Sequence, residues 1–144
     1  MSSIPAGLKV FVVDDEHLIA FTLSTILRQQ GFIAMPFTSP LKALEAAANE
    51  RPHLLISDVM MPGLSGVELA IEIKKQCPEC KVLLFSGQAA TAGLLEDARG
   101  SGHDFTLLAK PIHPTDLIRA VRASWASPFA AQGTKPADLR SAEA

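Results

Sequence analysis

Several short apolar runs in this 144-residue chain stop abruptly on residues that handle charge. The run Lys9 to Val13 ends in Asp14, Asp15 and Glu16, and Leu54 to Ser57 ends in Asp58. Lys81 to Phe85 ends in Ser86 and Gly87, and Phe105 to Ala109 ends in Lys110 and Pro111. If these ends meet, Asp14, Asp15 and Asp58 place three carboxylates in one partly desolvated pocket, where they repel unless a cation lies among them. Three carboxylates against the single ammonium of Lys110 leave two negative charges, the amount one divalent ion neutralises. Oxygen donors without His or Cys select a hard ion, Mg²⁺ or Mn²⁺, which keeps several waters and needs only one or two carboxylates. Any one of these acids alone reads as a helix cap following a strand. Together with Lys110 they read as a site, because perturbed titratable groups cluster at functional edges.

That reading requires elements that bring the four ends together. Lys9 to Val13 is a β-branched apolar run expected to form a buried strand, and Ile19, Leu23, Ile26 and Leu27 then recur at helical spacing until Gly31. Phe32 to Phe37 predicts a second strand, and Ser39 with Pro40 is an N-cap and first-turn proline opening a helix to about Asn49. Leu54 to Ser57 is a third strand; Met60 to Leu64, punctuated by Pro62 and Gly63, is a loop filling gaps against the sheet; and Ser65 starts a helix whose buried stripe is Val67, Ala70 and Ile71. Cys77 and Pro78 end that helix before a fourth strand, Lys81 to Phe85. A helix over Thr91 to Arg99, with Leu94, Leu95 and Ala98 between Gly93 and Gly100, is less regular because of those glycines, and a fifth strand, Phe105 to Ala109, precedes a helix from Pro114 with Leu117, Ile118, Val121 and Trp125 on one face. Strands alternating with helices imply a parallel sheet covered on both faces, with ligands bound outside the carboxyl ends of the strands. The four chemistry-bearing ends all fall on that edge.

Composition narrows the function. Apolar residues make up 48% and charged residues 19%, with a net charge of -2, which describes one compact domain over 8–126 preceded by a short extension, 1–7. Residues 127–144 turn to Ala, Ser, Pro and Gly and are expected to be a disordered tail that holds no output domain. A pI of about 6.1 gives no electrostatic footprint for nucleic acid or an anionic membrane. No apolar run approaches the roughly 18 residues that span a bilayer, and the start lacks a secretion signal, so a cytoplasmic protein is expected. Cys77-Pro78-Glu79-Cys80 closes a helix instead of opening one and has no second Cys pair, so two structural thiols are expected in place of a redox or zinc motif. His17, His53, His103 and His113 show no ligand spacing.

In combination these motifs resemble the receiver domains of bacterial two-component response regulators, over roughly residues 8 to 126. The acidic pair after the first strand, Asp58-Val59-Met60-Met61-Pro62-Gly63 with Gly66, Ser86-Gly87 and Lys110-Pro111 agree in order, spacing and strand position. The resemblance implies a flavodoxin-like doubly wound sheet of order 2-1-3-4-5 with five helices in three layers. It places the phosphoryl-accepting role on Asp58, with Asp14, Asp15, Asp58 and the Met60 backbone carbonyl holding Mg²⁺. The carboxylate would act as nucleophile on a good phosphoryl donor. Lys110 and the Ser86 hydroxyl would hold the phosphoryl oxygens, and Gly87 would leave room for the donor.

The donor implied is a sensor histidine kinase or a histidine phosphotransfer protein. Output passes to a partner protein, or to a second copy, through the face of the fourth helix, fifth strand and fifth helix. The chain departs from the family pattern in two ways. The aromatic that relays the switch in the fifth strand is replaced at its usual place by Leu107, with Phe105 nearby, so either could fill the role. The positions that tune hydrolysis are Met60 and Gln88, and the Met60 thioether predicts slow phosphate loss. Two alternatives stand beside this signalling reading, in which the chain is no enzyme beyond handling its own phosphate. One is a degenerate receiver scaffold that never takes phosphate. The other is a small aspartyl-phosphate phosphotransferase, which would carry a second acid where Met60 stands.

Overall fold

The computed structural model describes residues 7–87, 91–100, 102–103 and 105–126. Its elements are β1 (Lys9–Val13), α1 (His17–Gln29), β2 (Ile33–Phe37), α2 (Pro40–Glu50), β3 (Leu54–Asp58), α3 (Gly66–Gln76), β4 (Lys81–Ser86), α4 (Thr91–Gly100), β5 (Thr106–Ala109) and α5 (Pro114–Ala126). All strand pairs are parallel and the sheet order is β2-β1-β3-β4-β5. The order reverses between β1 and β3, so right-handed crossovers place α1 on one face and α2, α3 and α4 on the other. The sheet and α1 to α4 belong to one compact unit, and α5 to a second. Within α5, Leu117 and Val121 are buried one turn apart and Asp116 pairs with Arg119 at 3.0 Å.

Alternation along β1 and β3 sends Phe11, Val13 and Leu55 to one face, where they meet Ala43 and Ala47 of α2 and Leu69, Ala70 and Ile73 of α3. Cys77 and Cys80 complete this cluster as free, buried thiols. Helix starts follow from local chemistry. Ser39 caps α2 by accepting the Lys42 N–H, with Pro40 in the first turn. Ser65 caps α3 in a reciprocal box with Glu68, the hydroxyl accepting the Glu68 N–H at 3.1 Å and the carboxylate accepting the Ser65 N–H at 2.9 Å. At the sheet margin, β2 carries Pro36, and Arg28 Nε donates to the Ala34 carbonyl at 3.0 Å.

Three expectations change. The fifth strand begins at Thr106, because its pairing with β4 starts at Leu83↔Thr106. Phe105 therefore precedes the strand, packs partly buried against both core clusters and stacks on His103 at 5.6 Å. Instead of being a buried run, β5 is mostly exposed, as suits the edge of a sheet. Met60 is 47% exposed and does not fill a gap, whereas Met61 packs against the core as expected. The expected tail, 127–144, and the extension short of residue 7 lie outside the described residues. No helix among the described residues is long and apolar enough to cross a membrane.

Candidate functional site

The carboxyl ends of β1, β3, β4 and β5 bring Asp14, Asp58, Ser86 and Lys110 to one edge, and Asp15 follows Asp14 there. Asp14 is fully buried, Asp58 and Ser86 are buried, and Asp15 is exposed. One carboxylate oxygen from each of Asp14, Asp15 and Asp58 lies within 4.8 Å of the others. Asp14 Oδ1 accepts the Glu16 N–H at 2.8 Å, while its buried Oδ2 has no hydrogen bond and only an ion-pair contact with Lys110 Nζ at 3.4 Å. An orphaned, desolvated carboxylate oxygen facing two further carboxylates fits a hard divalent cation.

Burial holds the Asp14 carboxyl above its ordinary range, and the charge of Asp58 adds to this against the opposing Glu16 N–H and Lys110. Lys110 Nζ reaches Asp58 Oδ2 at 3.0 Å, and Asp58 Oδ1 accepts the Met60 N–H at 3.3 Å. Burial pulls the Lys110 ammonium down, but the hydrogen bond to Asp58 and the charges of Asp14 and Asp58 win and raise it. Lys110 therefore stands as a fixed cation beside the Asp58 carboxylate, held where an incoming oxyanion would add charge.

The backbone beneath the site is tied tightly. The Val59 N–H donates to the Phe85 carbonyl at 3.0 Å and the Lys110 N–H to the Ser86 carbonyl at 3.2 Å. The Gly66 N–H donates to the Val59 carbonyl at 2.8 Å, so α3 starts directly against the end of β3. A Cβ on Gly66 would overlap the Asp58 carbonyl oxygen, which explains the glycine. A Cβ on Gly87 would meet only the Lys110 Cβ at 3.6 Å, ordinary contact that leaves the mouth of the site open. The Lys110–Pro111 peptide is cis.

Of the expected site residues within the described range, Asp14, Asp15, Asp58, Met60, Ser86, Gly87 and Lys110 lie at this edge, whereas Phe105 stands before the opposite end of β5 and Leu107 lies within that strand; Gln88 is outside that range. Leu107, paired with Leu84 in the sheet, is 41% exposed. Sequence reading missed two participants. The buried Ser57 hydroxyl donates to the Asp58 carbonyl at 2.9 Å, and the Phe85 ring lies under the Lys110 ammonium, 5.3 Å from centroid to Nζ. Neither carries a motif; Phe85 emerges only once strand register pairs it with Asp58.

Residues 10–122 match the family model for the response regulator receiver domain. The chain is 27% identical over 116 residues to chemotaxis protein CheY of Thermotoga maritima, covering 80% of this chain and 95% of that protein. It is 31% identical over 120 residues to transcriptional regulatory protein FixJ of Azorhizobium caulinodans, covering 83% of this chain and 56% of that one. The chain spans about half the length of FixJ and of the probable transcriptional regulatory protein TcrX of Mycobacterium tuberculosis, at 56% and 48%. A response regulator receiver domain protein from Clostridium thermocellum superposes with a TM-score of 0.72 at 28% identity, covering 81% of this chain and 93% of that one. With the sheet order and the acidic edge already in place, the chain belongs to the response regulator receiver domains of two-component systems.

Proposed function

We propose that this chain is a phosphorylation-activated switch whose acceptor is Asp58. Receiver domains are signalling proteins, phosphorylated by histidine kinases and acting on downstream partners. The observation that carries the proposal is the Lys110 ammonium, 3.0 Å from Asp58 Oδ2 and 3.4 Å from Asp14 Oδ2 at the carboxyl edge. An oxygen of Asp58 forms the bond to phosphorus as the P–N bond of a donor phosphohistidine breaks, and the imidazole leaves with that electron pair. Asp14, Asp15, Asp58 and the Met60 carbonyl would hold Mg²⁺, which supplies neutralisation of charge on the transferring oxygens. Lys110 pairs with the new phosphoryl oxygens and the Ser86 hydroxyl donates to one of them, while Gly87 admits the donor.

Phosphorylation adds about -1.5 to -2 of charge and three strong acceptors, which draws Lys110 and Ser86 inward. Movement at the ends of β4 and β5 reaches Leu107 and Phe105. Output is a change in affinity for a partner protein or a second copy, set by that partner's preference between the two states. In this reading the receiver spans 8–126 and the protein works in the cytoplasm.

The test is intact mass after incubation with a small-molecule phosphodonor, with and without Mg²⁺, on the native chain and on Asp58→Asn. A Mg²⁺-dependent gain of one phosphoryl group that disappears in the variant is expected. No gain in the native chain overturns the reading in favour of a non-phosphorylated scaffold. Decay of the same mass peak reads the lifetime. The exposed Met60 thioether is a poor partner for a hydrolytic water, so decay over minutes or longer is expected, and loss within seconds contradicts it.

A further inference from the structure

The Lys110 ammonium has a neighbour that no acid–base account of the site uses. Phe85 is 1% exposed, among the largest fully buried side chains, yet its ring lies 5.3 Å from Lys110 Nζ. Sheet register explains the meeting: Phe85 pairs with Asp58 on one side and with Leu108 on the other, two residues before Lys110. Phe85 thus stands beside the acceptor at the same level of the sheet. Both ends of the contact are anchored by backbone bonds, Val59 N–H to the Phe85 carbonyl and Lys110 N–H to the Ser86 carbonyl.

We propose that Phe85 is a positioning residue for Lys110, its ring holding the ammonium over the acceptor through cation–π attraction. The proposal deepens the reading of Asp58 as acceptor and rests on it for its consequence in phosphoryl transfer. The physical need is specific. Lys110 is drawn to two carboxylates at once, 3.0 Å and 3.4 Å away, and a flexible four-carbon stem would follow whichever charge dominates. An aromatic face attracts a cation within about 6 Å without accepting any of its N–H bonds in the way an oxygen does. It therefore confines the ammonium while leaving its donors for oxygens, first those of Asp58 and Asp14 and then those of an arriving phosphoryl group. An aliphatic side chain of similar volume would fill the space without that attraction.

The test separates the ring's electrostatics from its bulk. Pentafluorophenylalanine placed at Phe85 keeps the shape and reverses the quadrupole, and Phe85→Tyr keeps both ring and face. Each is made with Lys110 intact and with Lys110→Met. In EDTA, with no phosphoryl chemistry involved, the fluorinated ring is expected to lower the thermal midpoint more with Lys110 present than with Lys110→Met. Equal shifts in the two backgrounds overturn the proposal. With Mg²⁺ and a small-molecule phosphodonor, the fluorinated ring is expected to slow phosphoryl gain about three- to tenfold with Lys110 present, the range set by cation–π contacts of modest strength. Phe85→Tyr is expected to restore the rate, and the fluorinated ring to have no effect with Lys110→Met. A rate equal to that of the native chain, or the same slowing in both backgrounds, overturns the positioning role. If the native chain gains no phosphoryl group, the reading of Asp58 fails while the midpoint cycle in EDTA still decides on Phe85.

Discussion

Asp14 is the residue on which the site's electrostatics turn. Its carboxylate is fully buried, one oxygen has no hydrogen bond, and burial holds its proton more tightly in the folded chain than in the unfolded one. The charged form thus weakens the fold near neutrality, and the penalty is relieved as pH falls into the carboxylate range. Asp14→Asn removes the penalty at every pH. It is expected to stabilise the metal-free chain by about 1 to 3 kcal/mol, whereas added Mg²⁺ raises the melting temperature of the native chain more than that of the variant. Destabilisation by Asp14→Asn in EDTA contradicts this. Cys80 follows the same sign from the same cause, at higher pH. Burial, then the neighbouring Cys77, push its thiol from 9.0 up to about 12. Thiolate forms in the unfolded chain first, so Cys80 leaves stability untouched below pH 9 and erodes it as pH rises from there towards 12. Alkylation by iodoacetamide at about pH 8 is expected to be far slower in the native chain than in denaturant. Equal rates in the two would refute structural burial and revive a reactive role.

Among the elements, α3 is the one whose placement the site depends on most. Its first residue, Gly66, sits against the Asp58 carbonyl, and the Ser65–Glu68 box fixes where the helix begins. Gly66→Ala has to push α3 away from β3, an overpacking cost of about 1 to 3 kcal/mol. Phosphoryl gain should fall with it, because Asp58 moves. Ser65→Ala costs about 1 kcal/mol and should leave the rate of phosphoryl gain near native, since the cap stands at the solvent side of the same turn. Denaturation midpoints and mass-monitored rates on both variants check this; equal loss of activity in the two means that helix stability, not the close approach, governs the site. The elements were legible where periodicity and caps agreed: Ser39 with Pro40 announced α2, and Cys77 with Pro78 announced the end of α3. They were misjudged where tertiary contact overrode local pattern. Phe105 looks like strand by composition but is drawn out of it to stack on His103 and pack on the core.

For the molecule as a whole, burial is graded across the sheet. β1 and β3 are buried almost throughout, while β5 is exposed at three of its four positions. Amide exchange should follow that gradient. Val10 to Val13 and Leu54 to Asp58 are expected to exchange slowest, through global unfolding, and Thr106 to Ala109 fastest among the strands. Protection of β5 equal to that of β3 would contradict it. The candidate site straddles this gradient, with Asp58 on buried β3, Asp14 just past the end of buried β1 and Lys110 just past the end of exposed β5, an arrangement suited to moving one side without melting the other. The acidic edge was readable before the fold because each strand ended on its own polar residue. The Phe85–Lys110 contact was not, because it exists only through the register of neighbouring strands.

The bare margin at β2 has a consequence for how copies of this chain can meet. Ile33 and Phe37 turn their backbone groups to β1, through Ile33 N–H to the Leu8 carbonyl and Asp14 N–H to the Phe37 carbonyl, so alternation turns Ala34 and Pro36 outward. Pro36 has no N–H to offer there, and the Ala34 carbonyl is already taken by Arg28. The outward row that would template a further strand is thus blunted. Extension of the sheet by a further copy is disfavoured at β2, which leaves the opposite edge strand, β5, as the sheet margin where backbone pairing with another chain meets less resistance.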